Sequence, residues 1–232
     1  MKISFLGDSI TQGCGASKED NGFVSLIAKD LNIICHNFGV GGTRLAKQTN
    51  PINDWDYNDF QLRMLDIDKN SDFIYIFGGT NDFGHGDAKF GDFESTDPYT
   101  FYGALNNIIK YFIDNFGREK FAFVLPISRW DEDSLYGEPC VKKAHPMATL
   151  DTYKSIMIDV LNYHNVDWIT FDEYFYKPLN TSDSGLYRDG LHPNDQGHRL
   201  LADLFIQDIK NSAKTLPDEK ASRIADFTNI TY

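Results

Sequence analysis

Five short runs rich in apolar residues, spaced by longer amphipathic stretches, constrain this chain more than any other feature. The runs are residues 3–6, 33–38, 73–77, 121–127 and 166–171, of which Phe73-Ile74-Tyr75-Ile76-Phe77 is the clearest. Between them apolar residues recur at helical spacing. Phe23, Val24, Ile27, Ala28 and Leu31 make one such stripe, with Asn21 placed to cap it. Residues 60–67 read as a short helix. Phe101, Leu105, Ile108, Ile109, Phe112 and Phe116 mark a long one. Tyr153, Ile156, Met157, Val160 and Leu161 make another, and Leu200, Leu201, Leu204, Phe205 and Ile209 line the last.

Strands alternating with helices predict a parallel sheet covered on both faces. The expected fold is α/β: a flavodoxin-like, doubly wound α/β/α sandwich with a five-stranded parallel sheet. Ligands in such folds bind beyond the carboxyl ends of the strands. Glycine-rich punctuation falls at those ends: Gly7, the segment from Gly39 to Gly42, and Gly78-Gly79. Two irregular stretches, 83–98 and 128–149, are longer than ordinary connections. Each reads equally as a functional loop or as a solvated excursion. Trp130 and Tyr136 in the second could stack a sugar ring or simply shape a rim.

With 232 residues, 14% of them aromatic, the chain has enough apolar surface for one sizeable core. The formal charge of −12 repels phosphate backbones and anionic membranes. Neither nucleic acid nor membrane is an expected partner. Cys14, Cys35 and Cys140 are odd in number and widely spaced, which suggests neither a disulfide framework nor a zinc site. No apolar stretch approaches the roughly 20 residues of a membrane span. The apolar run after Met1-Lys2 is too short for a secretory signal. A cytoplasmic location is the expectation.

Ester hydrolysis near neutral pH needs a nucleophile, a base, a group that orients the base, and donors for the developing oxyanion. Ser9, in Gly7-Asp8-Ser9-Ile10, directly follows the first strand, although a Ser there is also a common helix cap. In Asp189-Gly190-Leu191-His192-Pro193, Pro193 biases His192 away from helical geometry. Asp189, three residues earlier, can reach back to the imidazole, although a capping role would also fit. Asn194 is placed to cap the last helix. The loop from Asn37 to Thr43 can bring a bare backbone N–H close to a ligand, or can be a plain turn. Gly78-Gly79-Thr80-Asn81-Asp82 puts an amide at the end of the third strand, where an Asx-turn is the alternative.

These four segments resemble the four blocks of the SGNH hydrolases, also called GDSL-type esterases and lipases. They occur in order and reach from residue 7 to residue 193. The one departure is Ile10, a conservative change from Leu. The resemblance implies a hydrolase domain over 1–214 with a tail over 215–232. It makes Ser9 the nucleophile, His192 the base and Asp189 its acid partner. It also makes the N–H groups of Ser9 and Gly42 and the amide of Asn81 the oxyanion hole. No cofactor and no metal is expected, and a small-molecule ester is the expected partner. A small acyl ester, with an acetylated carbohydrate preferred, is the expected substrate. A lysophospholipase or thioesterase of the same family, or a non-catalytic flavodoxin-like binding module, are the alternatives. A metal-dependent hydrolase built on Asp82, His85 and Asp87, with Asp54, Asp56 and Asp59, is a further rival. It lacks a pair of His at ligand spacing.

Overall fold

Alternation along the strands decides the layers. The computed structural model describes residues 1–134, 148–182 and 185–214. Its strands are β1 (Lys2–Gly7), β2 (Ile34–Gly39), β3 (Phe73–Phe77), β4 (Phe121–Val124) and β5 (Trp168–Ile169). They form one parallel sheet in the order β2-β1-β3-β4-β5, the flavodoxin-like order the sequence predicts. The helices are α1 (Ser9–Gln12), α2 (Phe23–Leu31), α3 (Phe60–Arg63), α4 (Thr80–His85), α5 (Phe101–Phe116), α6 (Leu150–Tyr163) and α7 (Asp195–Lys214). Ile74, Ile76, Phe121 and Phe123 join a core with α5 and α6. Their neighbours Tyr75, Phe77, Ala122 and Val124 join a second core with α2 and α7 on the opposite face. Both faces are thus dry, which is why the central strands carry apolar residues at nearly every position.

β2 and β3 flank β1 on opposite sides. The connection from β1 to β2, which carries α2, and the connection from β3 to β4, which carries α5, run in opposite directions across the sheet, and right-handed crossovers of opposite direction put their helices on opposite faces. That accounts for α2 on one face and α5 on the other. It also leaves a gap between the connections at the carboxyl ends of β1 and β3, where the order reverses.

Several local expectations change. Asn21 does not cap α2; Gly22 occupies that position with no side-chain cap. The Asn21 amide instead donates to Ser17 Oγ and Asp195 Oδ2, both at 3.0 Å. The Phe23 N–H donates at 3.4 Å to Nδ1 of buried His198, which lies on α7 and is distant in sequence. Residues 60–67 divide into α3 and a 3-10 turn at Met64–Asp66, with Phe60, Met64 and Ile67 still facing the core. β4 stops at Val124, two residues before Pro126, which has no N–H to give the ladder. β5 is confined to Trp168–Ile169 and pairs on one side only. Asn194 does cap α7: its Oδ1 accepts from the N–H groups of Gln196 and Gly197, both at 3.1 Å. Among the described residues no helix is long and apolar enough to cross a membrane. Tyr136, Cys140 and the tail 215–232 lie outside the described residues.

Phe205 of α7 is fully buried and packs its ring against Phe5, Phe23, Tyr75, Phe77 and Phe171. Phe205→Ala is expected to cost about 3–5 kcal/mol. Urea unfolding checks this as a lower midpoint with an unchanged m value.

Candidate active site

Ser9 is the first residue of α1, which folds back over the end of β1. A Cβ on Gly7 would lie 1.9 Å from Thr11 Oγ1 and 2.3 Å from Thr11 Cβ, so only glycine permits that approach. Asp8 caps the turn, its Oδ1 accepting from the Ile10 N–H at 2.9 Å. Burial pushes the Asp8 carboxyl up to about 6, against the pull of that N–H and of the charges on His192, Arg63 and Arg129.

His192 Nε2 lies 2.9 Å from Ser9 Oγ, across 183 positions of sequence. Its Nδ1 lies 2.7 Å from Asp189 Oδ2, while Asp189 Oδ1 accepts from the N–H groups of His192 (2.8 Å) and Leu191 (3.1 Å). Partial burial opposes ionisation of Asp189. The hydrogen bonds and charge of His192, with the Leu191 N–H, outweigh it and hold the carboxyl down at about 2. An ionised carboxylate only accepts, so Nδ1 carries the proton and Nε2 faces Ser9 with a lone pair. The loop bearing this pair is braced from several sides. Arg188 N–H donates to His192 O (2.8 Å), Trp130 N–H to Gly190 O (2.9 Å), and Tyr187 Oη to Ser128 O (2.5 Å). The start of the 128–149 stretch therefore supports the His192 loop.

The second glycine-rich loop closes on the same place. Asn37 Nδ2 donates to Thr11 O and Asn37 Oδ1 accepts from Gly39 N–H, both at 2.8 Å, tying β2 to α1. Gly41 N–H is occupied by Gln12 Oε1 at 2.9 Å. The N–H groups of Ser9 and Gly42, in contrast, meet no acceptor among the described residues. Gly42 has φ +76°, and a Cβ there would also press to 3.0 Å from Trp55 Cδ1. Asn81, buried on α4, donates through Nδ2 to Thr43 O and has Oδ1 opposite His85 Nε2, both at 3.0 Å. The structure thus gathers Ser9, His192 and Asp189 into one hydrogen-bonded set. It brings Asn81 against the loop that carries Gly42.

The residues of the metal-site reading go separate ways. Asp82 accepts from Leu45 N–H (2.9 Å) and Ala46 N–H (3.0 Å), and burial pushes its carboxyl up to about 7 despite them. Asp87 accepts from Thr49 and Asn50, which stitches the 83–98 stretch to the chain that follows the second loop. Asp59 caps α3, and Asp56 pairs with Arg44. Among the described residues no group of three or more His, Cys, Asp or Glu could hold a metal ion. Arg44, Trp55 and His198 are site or framework residues that sequence reasoning did not single out. The i, i+4 spacing of Asn81 and His85 on one helix face is the signal that could have linked those two.

The chain belongs to the GDSL-like lipase/acylhydrolase family, whose model it matches over residues 5–200. Among solved structures it is similar to a protein from Lactobacillus plantarum, at 23% identity and TM-score 0.70, covering 91% of this chain and 96% of that one. It is similar to an acetyl xylan esterase at 22% identity and TM-score 0.58, covering 90% of this chain and 100% of that one. A third likeness is to an active-site mutant of a family two carbohydrate esterase from Clostridium thermocellum. There the identity is 20% and the TM-score 0.62, with 93% of this chain and 65% of that one covered. At these identities the likeness establishes the fold. No curated protein matches the chain.

The depressed Asp189 carboxyl has a consequence for stability. Its folded value of about 2 lies below the ordinary 3.8, so the unfolded chain binds the extra proton. The contribution is present above about pH 4 and is lost as pH falls towards about 2. Asp189→Asn is expected to lose less stability than the parent between about pH 5 and about pH 3, read from urea midpoints. Equal losses would place the stabilisation elsewhere.

Proposed function

We propose that this family member is a serine ester hydrolase working through Ser9, His192 and Asp189. The observation that carries the reading is the single run of contacts from Ser9 Oγ through the His192 ring to Asp189, at 2.9 and 2.7 Å. His192 Nε2 takes the Ser9 proton as Oγ attacks the ester carbonyl. Asp189 stabilises the imidazolium that forms. The oxyanion is received by the N–H groups of Ser9 and Gly42 and by the Asn81 amide. His192 then protonates the departing alcohol, which leaves an acyl group on Ser9. Water, deprotonated by His192, releases the acid and restores the hydroxyl.

The substrate we propose is a small acyl ester, specifically an acetylated carbohydrate. Trp55 supports this: its indole is 44% exposed and lies against Gly42, so an aromatic surface borders the proposed oxyanion position. Such a surface suits the apolar face of a sugar ring. The acetyl xylan esterase and the carbohydrate esterase among the structural neighbours fit the same class.

Ser9→Ala should abolish turnover of p-nitrophenyl acetate and labelling by a fluorophosphonate; a variant that hydrolyses at the parent rate would sink the assignment. Asn81→Ala should retain folding and lose about 10²–10³ in kcat, the usual consequence of removing one oxyanion donor. Trp55→Ala should raise KM for acetylated oligosaccharides more than for p-nitrophenyl acetate. Equal effects on the two, or a preference for long acyl chains, would count against the carbohydrate.

A further inference from the structure

His85 lies between a buried guanidinium and the Asn81 amide, and the chemistry of its neighbours leaves it one arrangement. Arg44 donates through Nη1 to Asp56 Oδ1. Through Nη2 it donates to His85 Nδ1 and, at 3.1 Å, to His85 O. A guanidinium has no acceptor, so Nδ1 must offer a lone pair and Nε2 must carry the ring proton. Nε2 is 3.0 Å from Asn81 Oδ1, which therefore accepts. The amide is then fixed with its NH₂ on the other side, where one proton goes to Thr43 O at 3.0 Å and the second is left for a ligand. Asp56 is held in turn, its Oδ2 accepting from the N–H groups of Ile52 (2.7 Å) and Asn53 (2.9 Å).

We infer that Asp56, Arg44 and His85 form a positioning relay that keeps Asn81 presented as a hydrogen-bond donor, a role that rests on the oxyanion function proposed for Asn81. The donor direction runs outward from Arg44, one way to the Asp56 carboxylate and the other through the His85 ring to the Asn81 carbonyl oxygen. A second observation supports a dedicated arrangement. Arg44 is buried and its Nε meets no partner among the described residues, so the guanidinium is aimed by its two Nη groups at the expense of a third donor. Burial and the charges of Arg44 and Arg129 also hold His85 down at about 4, so the ring stays neutral at working pH. A protonated ring would present an N–H to Arg44 and break the sequence of donors. With the relay cut, the amide can turn its oxygen towards the developing negative charge, which repels it.

The test compares His85→Leu, His85→Gln and Asn81→Ala with the parent. His85→Leu removes the donor to Asn81 and is expected to lower kcat roughly tenfold with little change in KM, the size of one lost hydrogen bond. Gln can accept from Arg44 and donate to Asn81, so His85→Gln should recover most of that loss. In the Asn81→Ala background His85→Leu should cause no further fall in kcat, because its effect passes through the missing amide. A parent-like kcat in His85→Leu, a loss confined to KM, or a full additional loss in the double variant would each overturn the relay. If His85→Leu does not fold, ¹⁵N spectra of the parent imidazoles decide the matter. They should give His85 as the neutral Nε2–H form across about pH 5–8, and an Nδ1–H ring or one that titrates there would refute the relay. A parent-like kcat in Asn81→Ala would instead remove the oxyanion role itself. Sensitivity at Asn81 with none at His85 removes only the relay.

Discussion

β1 is hydrogen-bonded along its length to β2 on one side and β3 on the other, and both of its faces are buried. Everything at the site follows from where that strand stops. Its neighbours run parallel to it, so their carboxyl ends emerge beside its own. The connections to β2 and from β3 to β4 run in opposite directions, which makes that edge the topological switch point of the sheet. Ser9 therefore starts its helix at that edge, with the Gly39–Gly42 loop following β2 on one flank and Asn81 following β3 on the other. The close approach of α1 to Gly7 keeps the Ser hydroxyl at the strand end rather than a turn further on.

Around that point the polar groups are arranged by what each can and cannot do. Asp189 can only accept while ionised, so it dictates the tautomer of His192. Arg44 can only donate, so it dictates the tautomer of His85 and through it the direction of the Asn81 amide. Two histidines of one chain are thereby held in opposite forms, one protonated at Nδ1 and the other at Nε2. Burial of Arg44 and Asn81 makes the second choice firm, because a buried donor facing a donor costs far more than in water. The Nε of Arg44, which meets no partner among the described residues, and the raised carboxyls of Asp8 and Asp82 mark where burial strains that arrangement.

The fold was legible because its dry strands and amphipathic helices write two different periods into the chain. The order β2-β1-β3-β4-β5 is the flavodoxin-like one of the doubly wound orders that such an alternation allows. Element ends were less legible. The α2 cap at Gly22 depends on His198, and Asn21 is drawn to Asp195 instead. Both partners belong to α7 and are about 175 residues away. The 60–67 stretch divides at Arg63, whose guanidinium donates to Phe38 O and Thr43 Oγ1, bonds no local pattern announces. Asp56 and His85 stood out as a cluster of metal-ligand types. Arg44, which separates their roles, carries no motif.

By itself the sequence determined the α/β class, the glycine-marked strand ends, and the four segments in which Ser9, Gly42, Asn81, Asp189 and His192 lie. Those are properties of local composition and spacing, which a chain carries whether or not it is folded. Only the tertiary structure decided that Gly41 is occupied while Gly42 is open, that Trp55 borders Gly42, and that Asn81 faces the second loop as a donor. Each depends on which donor meets which acceptor once distant segments are packed together. Hydrogen bonding is directional and short-ranged, so no reading of residue types alone could assign it.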